Sequence, residues 1–78
     1  MARKRHSSGV IEEAVRYAES NGWSYRASGK SAHAWGFVVC PGDCPQVAVW
    51  STPRAPEHHA RAIRRAVDRC PHSTGGSP

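Results

Sequence analysis

His33 lies in the stretch Gly29 to Cys40, "GKSAHAWGFVVC", just ahead of an apolar run. An imidazole with an ordinary pKa of about 6.5 takes or gives a proton near neutral pH. That is what cleaving RNA requires: a 2′-hydroxyl loses a proton and a leaving 5′-oxygen gains one. Lys30 and Ser31, on the turn just before His33, supply a cation and a hydroxyl suited to holding a phosphate beside that ring. A polar surface histidine at a strand start is the plainer alternative.

A second constellation is built from sulphur. Cys40 and Cys44 frame "CPGDC", and Cys70 and His72 follow the last apolar stretch. Together they make a Cys3His ligand set for tetrahedral zinc, which would staple a sheet turn to a helix end. The spacings C-x3-C and C-x-H are atypical of zinc sites, so reduced, inert thiols are the default expectation. The odd cysteine count points the same way. His58 and His59 are adjacent and lack the i, i+4 spacing of a metal pair, with His59 nearer the core stripe. No Ser-His-Asp order, phosphate-binding loop or dinucleotide fingerprint occurs, and no catalytic cofactor is expected.

Trp23, Trp35 and Trp50 each fall in a strand-like run, where an indole either stacks on an unpaired base or fills the core. Trp35 follows His33 by two residues and so shares its face of a regular strand. Arg54, Arg61, Arg64 and Arg65 form a basic row suited to phosphates, or an ordinary solvated helix face.

These groups need elements to position them. "SGVIEEAVRYAESNGW" places Ile11, Ala14, Val15 and Ala18 at the i, i+3, i+4, i+7 spacing of a helix face. Ser8 serves as N-cap, Glu12 and Glu13 sit at the positive end of the dipole, and Asn21-Gly22 stops the helix. "WSYRA", "AWGFVVC" and "QVAVWS" read as three strands, with Gly36 weakening the middle one or marking a bulge. "STPRAP" breaks the chain, and Pro56 opens a second helix that runs to Pro71, with Ala60, Ile63, Ala66, Val67 and Cys70 inward. The expected fold is α+β, in the order α-β-β-β-α. A three-stranded antiparallel sheet would carry both helices on one face and leave the other free.

Seventy-eight residues suffice for one domain, expected over 8–72, with a flexible basic arm at 1–7 and a disordered tail at 73–78. Chains this small bury only about 60% of their unfolded surface, so a staple, metal or partner would add usefully to stability. The net charge of +5 favours a polyanionic partner, with nucleic acid the commonest. No run is long enough to span a membrane and the basic N-terminus lacks an apolar stretch, so a cytoplasmic location is expected, without a membrane partner.

The order of helix, "NGW", strand, turn, histidine, two strands, Pro-containing loop and basic helix resembles the HicA family of toxin ribonucleases. "AESNGW", the position of His33 and "HARAIRRAV" carry the resemblance, which covers Val10 to about Cys70. It implies a fold like the double-stranded RNA-binding domain, a metal-independent endoribonuclease acting on mRNA with His33 as the catalytic residue, and silencing by an HicB-like antitoxin protein. The family's histidine follows a Gly-Ser pair; here Ser31 and Ala32 stand in that place. Two other readings stay open: a non-catalytic RNA-binding module, and a zinc-stapled protein-interaction domain.

Overall fold

The structure, a computed structural model, describes residues 4–28 and 34–72. His33, Lys30, Ser31 and the expected tail at 73–78 lie outside the described residues. Helix α1 (Gly9–Ser20), strands β1 (Ser24–Ala27), β2 (Ala34–Val39) and β3 (Val47–Trp50), and helix α2 (Pro56–Arg69) follow in chain order. The α-β-β-β-α arrangement is therefore as expected, and the sheet is an antiparallel meander, β1-β2-β3.

Local chemistry sets the boundaries. Ser8 caps α1 by accepting from the Ile11 N–H. At the other end Trp23 N–H donates to Ala18 O (3.0 Å) and Gly22 N–H to Glu19 O (3.1 Å). This paired closure needs a left-handed residue, which Gly22 provides at φ 93°. Pro56 opens α2, where a missing N–H costs nothing, and Cys70 closes it.

Both helices pack on the sheet face that carries Val38 and Val49, and Ile11, Val15, Ile63 and Val67 fill the space between them. The other face presents Arg26, Phe37 and Ala48 in one cross-strand row. Among the described residues, no helix is long and apolar enough to cross a membrane.

The expected irregularity in β2 is real: the register with β3 shifts between Ala34 and Gly36, a bulge that leaves Trp35 as the extra residue. Gly36 is required there by space. A Cβ on it would stand 2.5 Å from the Tyr25 ring and 2.8 Å from the Arg26 carbonyl, and the carbonyl belongs to a paired strand that cannot swing away. Gly36→Ala should therefore destabilise the domain by about 1–3 kcal/mol, the usual cost of overpacking. A denaturant midpoint equal to that of the parent protein would refute this.

One expectation changes. The arm expected over residues 1–7 is anchored at His6, which is only 4% exposed. Its backbone N–H donates to Glu12 Oε1 (2.9 Å), and its ring meets Trp35 edge to face with centroids 4.8 Å apart. The charge pattern of "MARKRHSSG" gave no sign of this, because the partners are supplied by α1 and the sheet.

Candidate functional site

Two groups of chemically capable side chains emerge, at opposite ends of the sheet. The first surrounds the start of β2, where Ala34 pairs with Trp50. Trp50 ends an edge strand, and imidazoles satisfy both its backbone groups. Its N–H donates to His59 Nε2 (3.1 Å), and its carbonyl accepts from His6 Nε2 (2.9 Å). Because Ser8 N–H donates into His6 Nδ1 (2.9 Å), the His6 proton sits on Nε2. His59, accepting at Nε2, carries its own proton on Nδ1. Burial, and then the neighbouring His6, hold His59 below the ordinary histidine range.

The sign of the resulting pH dependence follows. Between about pH 6.5 and the lower folded-state value the unfolded chain binds the extra proton, so stability falls as pH falls through that window and is fully present above it. His59→Gln keeps an acceptor for the Trp50 N–H but does not titrate. It should lose part of the stability difference between about pH 7.5 and about pH 5.5, read from denaturant midpoints. An unchanged difference would show that His59 contributes nothing to it.

The α2 arginines separate into two sets. Arg61 and Arg65 are exposed and share a stripe with His58 that lines a shallow cavity of about 270 Å³. Neither has an ion-pair partner among the described residues. Arg54 is exposed just before the helix. Arg64 instead faces α1, 5.3 Å from the centre of the Tyr17 ring and 4.0 Å from Glu13 Oε1. Trp35 is half-buried and packs between His6 and Tyr25, so much of its ring surface is committed to the protein.

The second group lies at the far end of β2. Cys40 follows the strand, Cys44 lies in the β2–β3 connection, Cys70 caps α2, and His72 stands two residues beyond. Their ligand atoms all lie within 4.8 Å of one another. Cys40 and Cys70 are buried in the core cluster, with Cys44 packed against it. Hydrogen bonding to its two thiol neighbours pushes the Cys44 thiol up to about 12. Three thiolates in so small a space need a cation to offset their repulsion. The sequence offered these residues as a set; that they converge could not be read from spacing.

Comparison with protein families, with curated proteins and with solved structures returns no match. What fold and site define is a class: a small α+β domain with two helices on a three-stranded antiparallel meander, imidazoles and arginines at one end of the sheet and a Cys3His cluster at the other.

Proposed function

We propose that this chain acts on RNA as a HicA-like toxin endoribonuclease. In this reading His33 is the general acid or base at a scissile phosphodiester and Lys30 and Ser31 hold the phosphate. Arg54, Arg61 and Arg65 bind the RNA backbone, and an HicB-like antitoxin silences the domain. Arg64, offered with them from sequence, serves the helix contact first.

The supporting observation is one of placement. Ala34, which follows His33 in the chain, pairs with Trp50. From Trp50 the chain leads through exposed Arg54 into the α2 turn that exposes His58, Arg61 and Arg65. A basic stripe without ion-pair partners among the described residues, near the Ala34–Trp50 end of the sheet, suits a phosphate backbone.

The test is RNA cleavage by purified wild type and His33→Ala in buffer free of added divalent cations. Cleavage by wild type alone supports the reading; equal rates sink it. The pair Ser31-Ala32, where the family has Gly-Ser, favours a second reading, a non-catalytic RNA-binding module. That module would bind in a salt-dependent way, leave RNA intact, and be indifferent to His33→Ala.

A further inference from the structure

We infer that Cys40, Cys44, Cys70 and His72 form a closed, four-coordinate structural zinc site that ties the β2–β3 connection to the C-terminus of α2. This stands independently of any action on RNA.

The distances carry the argument. A zinc tetrahedron with Zn–S near 2.3 Å and Zn–N near 2.0–2.1 Å has sulphur–sulphur edges of about 3.8 Å and sulphur–nitrogen edges of about 3.5 Å. Here Cys40 Sγ and Cys44 Sγ lie 3.1 and 3.6 Å from Cys70 Sγ. His72 Nδ1 lies 3.4, 3.5 and 3.9 Å from the sulphurs of Cys40, Cys44 and Cys70. Thus one imidazole nitrogen faces all three sulphurs at close to the edge length of a single tetrahedron.

A disulfide does not account for this. Its sulphurs would stand about 2.05 Å apart. It would also use two thiols and leave the third, with the imidazole, unexplained.

The surroundings match those of metal thiolates. Gly42 N–H donates to Cys40 Sγ (3.1 Å) and His72 N–H to Cys70 Sγ (3.3 Å), each from two residues further along the chain. Asp43 Oδ1 lies 3.6 Å from His72 Nε2, which places an exposed carboxylate beside the nitrogen that would not bind metal. Gly42 must lack a side chain, because a Cβ there would stand 2.6 Å from His72 Nδ1. The end of α2 adds its partial negative charge, favouring a cation.

The donor set selects the ion. Three soft thiolates and an imidazole in a tetrahedron suit zinc, and hard cations such as magnesium or calcium prefer oxygen. Because the protein fills all four positions, no coordination site is left for a reacting water, so the role is structural. Binding releases protons from whichever thiols are protonated, and no redox change occurs.

The test uses the full chain, reduced and freed of metal, titrated with cobalt(II) and then zinc. One cobalt should bind per chain, giving the visible bands of tetrahedral cobalt and thiolate-to-cobalt charge transfer, and zinc should bleach both. His72→Cys should keep one-to-one binding, whereas His72→Ala, which removes a direct ligand, should weaken it by about 100-fold or more, beyond the ~10- to 100-fold that loss of an outer-shell partner costs. His72 is exposed, so its replacement leaves the core intact. Absence of thiolate charge transfer, a stoichiometry other than one, or His72→Ala binding as tightly as wild type would overturn the assignment. So would a Cys40–Cys70 disulfide in protein purified without reductant from zinc-replete medium.

Discussion

Stripping the metal from the reduced protein should lower its melting temperature by about 12 °C or more, and readdition of zinc should restore it. A domain of 78 residues has little stability to spare. Metal binding that exists only in the folded chain adds directly to folding free energy, and structural zinc in small peptides is worth about 10–16 kcal/mol. Here part of that is offset, because Ile11, Val15, Ile63 and Val67 pack without help from the cluster. A remaining contribution of at least about 3 kcal/mol is a conservative expectation. At about 4–8 °C per kcal/mol for a domain of this size, it yields the stated shift.

The physical reason for so large an effect lies in what the site connects. Cys40 and Cys70 are 30 residues apart in sequence and both belong to the core. Without metal, three thiols and an imidazole have only weak hydrogen bonds to one another, and the end of α2 keeps its apolar packing and its contacts to α1, Tyr17 to Asp68 and to Arg64, but nothing strong to the β2–β3 connection. Loaded and chelated proteins that melt within about 3 °C of each other would show that packing, and not metal, holds that end.

The second large effect is on chemistry. If the RNA reading holds, His33→Ala should reduce cleavage by about 10²- to 10⁴-fold, the usual contribution of a positioned proton-transfer group. RNA affinity should stay within a few fold, because Arg54, Arg61 and Arg65 supply the backbone contacts. A kinetic split of this kind distinguishes catalysis from binding. A fall in affinity that matches the fall in cleavage would assign His33 to binding instead.

The zinc site changes how this experiment is done. A strong chelator would remove a structural metal along with any catalytic one, so loss of activity in chelator would be ambiguous. Zinc-loaded protein in buffer free of other divalent cations separates the two. Activity there, lost in His33→Ala, would mark chemistry that needs no catalytic metal.

The elements were legible because their signals are local. The helical spacing of Ile11, Ala14, Val15 and Ala18, the Ser8 cap, the Asn21-Gly22 stop, the three β-rich runs and Pro56 are each written within a few residues. Gly36 was legible as a disruption of β2, and its cause, the Tyr25 ring and the Arg26 carbonyl, was not. His6 was hidden because an imidazole in a basic stretch looks like part of a solvated arm. Only its neighbours Glu12, Trp35 and Trp50 make it a buried hydrogen-bonding residue.

The cluster marks the same boundary. The sequence by itself determined which residues could ligate a metal, since three cysteines and one histidine at the ends of predicted elements are countable. It also determined the element order and the basic stripe of α2. Spacing argued against zinc, because C-x3-C and C-x-H match no compact local motif. Only the tertiary structure decided that Cys44 and His72, 28 residues apart, come within 3.5 Å. Ligand geometry is a three-dimensional quantity: α2 packs along the sheet against Val38 and Val49, and that packing, which no local pattern encodes, carries Cys70 and His72 back to the β2–β3 connection.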